Sequence, residues 1–390
     1  MNILFITSKF LPEYSGPALR IFNTYNRLNK IIKINLKVFC QSEEDNSYKN
    51  YNYKNIKVKR FKRIRFRNNI FLNKILYNIE FFKLLFFLCY DLNKNKYDIV
   101  HIAGSSSLTT AGLYASRIKK IPLFFELVNA SSSPMQINKI VKIFYKLNLS
   151  DNAIISCLSK KLKKKCLEND LIDNVWYRPN PIDEEKFYYR KNNNKDKIIL
   201  LNINQFIPRK NQIFLIEVLK SLPSKYRLIL AGPVTKKGNN KKRDQKYLND
   251  IKKLILKYDL SERVDLIEKF VNPEEYFYKS DFYLMPSINE GLGTTFLESL
   301  ACGIPVIANN SEVVFHEWIK DNINGKLITL NPSQWAQEIK NFNYRDHDQK
   351  LKFSKNIINL VGTRRFDTKK IKLLKSLIIY KKNKSILVNE

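Results

Sequence analysis

Short apolar runs alternate with amphipathic stretches along most of the sequence, and no other feature constrains the fold as much. Residues 2–8 (NILFITS) and 99–104 (IVHIAG) have the length and composition of buried strands, and residues 107–120 have helical spacing. The same alternation recurs from 197–204 (KIILLNIN) to 305–309 (PVIAN) in the second half of the chain. Continuous apolar strands that alternate with helices predict parallel sheets with helices on both faces, which is an α/β fold.

The length of the chain and the repetition of this pattern predict two domains. The chain has 390 residues, more than a single hydrophobic core usually serves. Each half carries its own series of strands, which predicts two doubly wound, Rossmann-like domains. The polar, proline-containing segment 178–197 suits a boundary. We predict an N-terminal domain over 1–183, a C-terminal domain over 184–365, and a basic helix over 366–390 that lies on the surface or crosses back to the first domain.

The net charge of +33 admits several interpretations. An excess of Lys and Arg suits a polyanionic partner, such as an anionic membrane, a phosphorylated substrate or a nucleic acid. A lysine- and asparagine-rich coding bias would produce the same excess without any function. No RNA- or DNA-binding module is visible in the sequence, so we expect no nucleic-acid partner.

The distribution of cysteine and acidic residues gives no sign of a metal site or a disulfide framework. The five cysteines are scattered and lack the spacing of zinc ligands. The acidic pair in residues 346–348 (DHD) falls in a polar stretch and is interpreted as a solvated turn. The N-terminus has no basic segment before its apolar run, so we see no signal peptide. We therefore expect a cytoplasmic protein without metal or cofactor.

Five of the ten glycines follow predicted strands directly or within a short loop: Gly16, Gly104, Gly232, Gly291 and Gly293. In doubly wound folds, ligands bind beyond the carboxyl ends of the strands. A glycine at such a position lets the backbone approach a phosphate closely. The glycines therefore predict a phosphate-containing ligand at this edge of the sheets.

Residues 286–308 (PSINEGLGTTFLESLACGIPVIA) concentrate these features in one loop. The glycines separate a strand from a helix that begins near Thr294, and the free N–H groups of a helix N-terminus favour a phosphate. Thr294 and Thr295 add hydroxyl groups. Glu298 lies one turn into the helix and is placed to accept hydrogen bonds from a ribose diol, whereas Glu290 would face what lies beyond the phosphates. Phosphate, diol and a further polyol together indicate a sugar nucleotide.

The segment EGLGTTFLE (290–298) resembles the E-x7-E motif of the retaining glycosyltransferases of family 4, which have the GT-B fold. The segments RPNPIDEEKF (178–187) and NINQFIPRKNQIFLIEVL (202–219) are also similar to this family. So are LILAGP (228–233) and, in the first half, KFLPEYSGPALRIFN (9–23). The resemblance extends from residue 1 to about 330 and is stronger in the second domain.

The resemblance implies a role for each matching residue. Two domains would face a central cleft, the first binding the acceptor and the second the donor. Glu298 would bind the ribose diol and Glu290 the donor sugar, with Glu290 as a covalent nucleophile the less favoured alternative. Lys210, with Arg209 beside it, would neutralise the diphosphate leaving group. The other implied donor-binding residues are Gly16, Gln205, Gly232, Gly291, Leu292, Gly293, Thr294 and Thr295.

The implied activity is that of a retaining hexosyltransferase. It would move a sugar from a UDP- or GDP-linked donor to a glycan or lipid-linked glycan in surface polysaccharide or lipopolysaccharide biosynthesis, without a metal. Two residues depart from the family pattern: Gln205 stands where Arg is usual, and Asn129 stands where His is frequent. These departures support one alternative, a nucleotide-sugar-binding relative that has lost catalysis.

The stretch 57–92 combines a basic run with a long apolar helix pattern. Basic residues beside aromatic anchors favour binding in an anionic membrane interface. The alternative is a buried helix with solvated lysines. We predict peripheral contact with the inner face of the cytoplasmic membrane, in which Lys59, Arg60, Lys62 and Arg63 take part.

Overall fold

The computed structural model describes residues 1–13, 15–42, 50–63, 70–128, 149, 152–168, 174–191, 197–236, 240–343 and 346–379. Contacts within the chain divide it into two compact units. Unit 1 consists of Met1–Pro179 with Phe366–Glu390, and unit 2 consists of Asn180–Arg365. Each unit contains one sheet with helices, so the prediction of two Rossmann-like α/β domains is confirmed.

Unit 1 is built on an eight-stranded sheet with the order β3-β4-β2-β1-β5-β6-β7-β8. Its strands are β1 (Asn2–Thr7), β2 (Asn35–Ser42), β3 (Asn50–Tyr53), β4 (Ile56–Lys62), β5 (Ile99–Ala103), β6 (Leu123–Leu127), β7 (Ala153–Cys157) and β8 (Val175–Tyr177). Its described helices are α1 (Gly16–Leu28), α2 (Ile70–Lys94), α3 (Ser107–Ile118) and α4 (Lys160–Leu167). The central strands β5, β6 and β7 are fully buried, as their continuous apolar sequences require.

The first part of the basic run in the stretch 57–92 belongs to the sheet, as strand β4 (Ile56–Lys62), which the sequence analysis did not predict, and residues 64–69 lie outside the described residues. Strand β4 pairs with β2 in parallel and with β3 in antiparallel orientation, so this sheet is not parallel throughout. Lys59 Nζ lies 4.0 Å from the centroid of the Phe87 ring, and Arg60 donates to the Tyr51 hydroxyl at 3.0 Å. These two cations are therefore half-buried in contacts within unit 1, and the predicted apolar helix begins only at α2.

Unit 2 is built on a six-stranded sheet with the order β11-β10-β9-β12-β13-β14. Its strands are β9 (Ile198–Ile203), β10 (Tyr226–Ala231), β11 (Val264–Ile267), β12 (Phe282–Met285), β13 (Val306–Asn309) and β14 (Gly325–Ile328). Its helices are α5 (Gln212–Lys220), α6 (Lys241–Lys257), α7 (Pro273–Phe277), α8 (Thr294–Ala301), α9 (Val313–His316), α10 (Pro332–Asn341) and α11 (His347–Val361), with 3-10 turns at Pro208–Lys210 and Ser261–Arg263. All pairings among these strands are parallel.

The last described helix, α12 (Thr363–Ile379), begins at the end of unit 2 and continues in unit 1. Asp346 caps α11, because its carboxylate accepts from the Gln349 N–H at 2.9 Å. The acidic pair in 346–348 thus marks a helix start. Within the described residues, no helix is both long enough and apolar enough to cross a membrane.

Candidate functional site

The segments that carry most of the predicted site residues follow parallel strands of unit 2 and meet at the carboxyl edge of its sheet. Residues 204–211 follow β9, Gly232 follows β10, residues 286–293 follow β12, and Glu312 lies beyond β13. The Ile288 N–H donates to the Arg209 carbonyl at 2.8 Å, which joins the loops after β12 and β9 directly. Parallel pairing therefore gathers residues that are far apart in sequence.

The loop after β12 leads into α8 through a left-handed residue. Gly293 has φ +80°, and a Cβ at this position would lie 2.8 Å from Met285 Cε, so only glycine suits it without strain. Leu292 is buried and anchors the loop. Among the described residues, no side chain caps the N-terminus of α8. The first N–H groups of this helix are therefore available to an anion, which the helix dipole also favours.

Lys210 and Glu290 form a buried ion pair at this edge. Lys210 Nζ lies 2.5 Å from Glu290 Oε1, and Arg209 Nη1 lies 3.6 Å from the same oxygen. Burial lowers the pKa of Lys210, although Glu290 opposes the shift. Burial alone would raise the pKa of Glu290, but Lys210 and Arg209 outweigh it and hold that pKa below its usual value. The site thus brings two basic side chains and one carboxylate together.

Glu312 holds the loop that contains Glu290, and the sequence analysis did not identify it. Its carboxylate accepts from the backbone N–H groups of Asn289 at 2.6 Å and Glu290 at 3.0 Å. Asn289 has φ +59°, a left-handed conformation that Asn adopts more readily than most other residues. Its position in the sequence could have identified it, because Glu312 follows a predicted strand and therefore lies at the same edge of the sheet as the glycine loops.

The predicted diol-binding residue lies on α8. Burial, together with the nearby carboxylates of Glu274 and Asp183, raises the pKa of Glu298 to about 8. In the first turn of α8, Thr294 Oγ1 accepts from Asn180 Nδ2 at 2.5 Å, and Thr295 Oγ1 lies 2.7 Å from the Tyr283 hydroxyl. These bonds fix the helix start beside Glu298.

Gln205 and Gly232 occupy the loops after β9 and β10, where each has a packing role. The Gln205 amide donates to Thr235 Oγ1 at 2.9 Å. A Cβ at Gly232 would lie 2.0 Å from the Asn204 carbonyl oxygen, so this glycine lets the two loops touch. Gly291 is half-buried in the loop before α8.

The remaining predicted donor-binding residue, Gly16, belongs to unit 1. Gly16 begins α1 in unit 1, directly after Ser15, whose hydroxyl accepts from the Ala18 N–H. Asn129 lies outside the described residues. His101 is fully buried in β5, with Nδ1 2.7 Å from the Tyr25 hydroxyl and Nε2 3.3 Å from Glu126. Burial and these two contacts support a structural role for His101 within unit 1.

In the part of the chain that the structure describes, no group of three His, Cys, Asp or Glu side chains could hold a metal ion. The positive charge of the site comes from Lys210, Arg209 and the N-terminus of α8. This arrangement can bind an anionic group together with a hydroxylated one.

Comparison with known families matches residues 183–359 to the family described as glycosyl transferases group 1. The match covers nearly all of unit 2 and confirms the glycosyltransferase resemblance there. The assignment to family 4 and its seven-residue motif spacing stays a prediction.

Two relatives cover about two thirds of the chain. The UDP-Gal:alpha-D-GlcNAc-diphosphoundecaprenol alpha-1,3-galactosyltransferase of Escherichia coli is 28% identical over 266 residues, which are 64% of this chain and 67% of that protein. The capsular polysaccharide biosynthesis glycosyltransferase CapH of Staphylococcus aureus is 25% identical over 273 residues, which are 64% of this chain and 70% of that protein.

A solved structure shares the whole fold. The crystal structure of Anabaena Alr3699/HepE in complex with UDP and glucose superposes with a TM-score of 0.70 at 16% identity, covering 96% of this chain and 99% of that one. The fold of this chain is therefore GT-B, as the sequence predicted.

Proposed function

We infer that this chain, whose residues 183–359 match the glycosyl transferases group 1, is a retaining hexosyltransferase. It moves a sugar from a UDP- or GDP-linked donor to a glycan or lipid-linked glycan in surface polysaccharide or lipopolysaccharide biosynthesis. The observation that carries this proposal is the uncapped N-terminus of α8 at the end of the loop that holds Glu290, whose carboxylate pairs with Lys210 from the loop after β9. The names of the relatives, a diphosphoundecaprenol galactosyltransferase and a capsular polysaccharide enzyme, support the acceptor class.

The donor would bind with its distal phosphate at the backbone N–H groups of Leu292, Gly293 and Thr294. Its ribose diol would donate to Glu298. Its sugar hydroxyls would meet Glu290, whose loop Glu312 fixes in place. The ribose, the distal phosphate and the sugar would thus meet residues that lie progressively earlier in the sequence, from Glu298 in α8 to Glu290 in the loop after β12.

In the reaction, the bond between the anomeric carbon and the phosphate oxygen breaks, and a bond to the acceptor hydroxyl oxygen forms on the same face of the sugar. The acceptor proton passes to the departing diphosphate. Cleavage proceeds through an oxocarbenium-like state, so charge develops on the diphosphate. Lys210 and Arg209 are the cations that would stabilise it, and we propose that no metal is needed.

A second candidate is a relative that binds a nucleotide sugar without transferring it. It rests on Gln205, which brings no charge where the family usually has Arg and which donates to Thr235. Both candidates place the protein in the cytoplasm, at the inner face of the cytoplasmic membrane. Donor hydrolysis or transfer by the purified chain would decide for the enzyme.

Calorimetric titration with UDP-, GDP- and ADP-sugars, in the presence of a chelator, tests the donor site. We expect one donor to bind and the Glu298→Gln variant to bind it at least about tenfold more weakly, because a carboxamide is a poorer acceptor for a diol. The matched control is Glu338→Gln, which changes a half-exposed ion pair with Lys326 in the same unit. Equal binding by wild type and Glu298→Gln would overturn the ribose assignment.

The raised pKa of Glu298 makes this binding sensitive to pH. The diol prefers the carboxylate form, which becomes the major form only above about pH 8. We therefore expect affinity to rise from pH 7 to 9 and binding at pH 7 to release a proton. Titrations in buffers of different ionisation enthalpy measure that proton, and Glu298→Gln should show neither effect. If Glu298→Gln kept the pH dependence of the wild type, the assignment of Glu298 to the diol would be contradicted.

A further inference from the structure

Helix α2 of unit 1 is apolar on two opposite faces. One face carries Phe81, Leu84, Leu88 and Leu92, which are buried. The other carries Phe71, Ile75, Ile79, Phe86 and Tyr90, and these five define the α2 outer face. They recur at intervals of four or seven residues, so they form one stripe along the helix. A helix that is apolar on both sides is normally covered on both.

The α2 outer face is exposed in the chain by itself. The exposed fractions are 71% for Phe71, 60% for Ile79, 74% for Phe86 and 63% for Tyr90. Single exposed apolar residues are ordinary, but a contiguous stripe of aromatic and aliphatic side chains marks a surface that binds a partner. The stripe runs along most of a 25-residue helix.

Charge along α2 is segregated in a way that identifies the partner. Lys83 and Lys94 flank the stripe on one side and Lys74 flanks it on the other, and all three are exposed. The two acidic residues of the helix are turned away and bonded inside unit 1. Glu80 lies 2.5 Å from the Ser107 hydroxyl, and Asp91 accepts from the Tyr97 hydroxyl at 2.8 Å. The charged residues of α2 that border its exposed apolar groups are therefore all cations.

We propose that the α2 outer face binds the surface of an anionic lipid bilayer. Its apolar side chains enter the interfacial region, and Lys74, Lys83 and Lys94 meet the headgroup phosphates. This replaces the basic run of β4 as the membrane-binding element, since Lys59 and Arg60 are engaged within unit 1. The proposal deepens the membrane location given above, and its test uses no nucleotide sugar, so its failure would leave the donor site unaffected.

Cosedimentation of the full chain with phosphatidylcholine vesicles, with and without about 30 mol% phosphatidylglycerol, tests the proposal. We expect binding to the anionic vesicles only, weakened between about 0.1 and 0.5 M salt. The double variant Ile79→Glu and Phe86→Glu should bind at least about tenfold more weakly, because two apolar anchors are lost and two negative charges are added. Lys74→Gln with Lys83→Gln should lose about fivefold for each lysine.

Matched controls distinguish vesicle binding by the α2 outer face from binding caused by the overall positive charge of the chain. Leu256→Glu changes a side chain of unit 2 that is 71% exposed, and Lys242→Gln with Lys246→Gln removes two exposed lysines from α6. Both should stay within about twofold of wild type, because they alter hydrophobicity and charge away from α2. Equal binding by the Ile79 and Phe86 double variant and by wild type would overturn the proposal.

Two further measurements keep the test decisive. Phe86→Trp provides a reporter that should be quenched by brominated lipid in the vesicles, whatever the folding of the charged variants. Sedimentation velocity of the chain without vesicles tests the alternative that the α2 outer face binds a second copy of the protein. A wild-type dimer that becomes a monomer in the double variant, without vesicle binding by either, would assign the α2 outer face to self-association and overturn the membrane proposal.

Discussion

Glu290 and Glu298 stand eight positions apart, yet their surroundings move their pKa values in opposite directions. Both are affected by burial, which alone would raise the pKa of each. Lys210 and Arg209 reverse the shift for Glu290, whereas Glu274 and Asp183 reinforce it for Glu298. Two acids whose pKa values are separated in this way can have different roles at neutral pH. One is ionised throughout, and the other loses a proton when its ligand binds.

Lys210 is the residue on which turnover should depend most. We expect Lys210→Ala to lower the transfer rate about 100- to 1,000-fold, because it removes a buried cation that, in the function proposed above, stabilises the leaving diphosphate. Initial rates with the donor identified by titration measure the effect, and the variant should still bind that donor.

The control for Lys210→Ala is Lys253→Ala, an exposed lysine on α6 that should leave the rate unchanged. Near-normal turnover by Lys210→Ala would transfer the role to Arg209, whose guanidinium lies 3.6 Å from Glu290.

At the scale of elements, the glycine loop is positioned by a residue that follows a different strand. Glu312 accepts from two successive N–H groups of the loop after β12, so β13 determines where Glu290 lies. We expect Glu312→Gln to weaken donor binding about tenfold, because a carboxamide oxygen cannot serve both N–H groups as the carboxylate does. Calorimetry measures the affinity, and hydrogen exchange measures the protection of residues 286–293.

The comparison variant for Glu312→Gln is Glu262→Gln, which removes an exposed carboxylate from a 3-10 turn of unit 2. It should change neither measurement. If loop protection falls in Glu312→Gln while affinity stays constant, Glu312 has a structural role only.

At the scale of the whole molecule, a buried carboxylate joins the end of the chain to the start of unit 1. Glu126 in β6 lies 2.5 Å from Arg20 of α1 and 3.2 Å from Lys370 of α12, with Arg178 at 3.9 Å. Burial would raise the pKa of Glu126, but Arg20 and Lys370 hold it well below its usual value. One anion therefore lies beside cations from three distant segments of the sequence.

We expect Glu126→Gln to destabilise unit 1 by about 3–5 kcal/mol, because it leaves buried cations without their partner. Hydrogen exchange of β5 and β6 during urea unfolding measures the loss. The half-exposed Lys326–Glu338 pair provides the contrast, since Glu338→Gln should cost at most about 1 kcal/mol. If Glu126→Gln and Glu338→Gln lost similar amounts of unfolding free energy, the buried charges around Glu126 would contribute no more to stability than a surface ion pair.

The same cluster predicts acid sensitivity in wild type. The pKa of His101 is lowered to about 4 by burial and by Lys370, so the native state stays unprotonated while the unfolded chain takes up a proton below pH 6.5. Stability of unit 1 should therefore fall as pH decreases from about 6.5 to 4, and further below about 4.5, where Glu126 takes up a proton in the unfolded chain but stays ionised in the native state. His101→Gln should flatten the first part of this profile.

The sequence by itself determined the two α/β units, the strands of unit 2 apart from β14, and the loop from Glu290 to Glu298. These follow from hydrophobic periodicity and from glycine placement, which are local properties of the chain. Hydrophobic periodicity did not lead us to predict β4. We interpreted its alternating lysines and apolar residues as a basic run, whereas they form a strand near the edge of the sheet.

Only the tertiary structure decided which charges meet. The pairing of Lys210 with Glu290, the support from Glu312 and the cluster around Glu126 join residues 22 to 244 positions apart. Such contacts depend on strand order and on which face of a helix is buried, and local pattern does not encode either. The same holds for α2, which is apolar on two opposite faces and whose exposed face could be identified only once its packing partners were known.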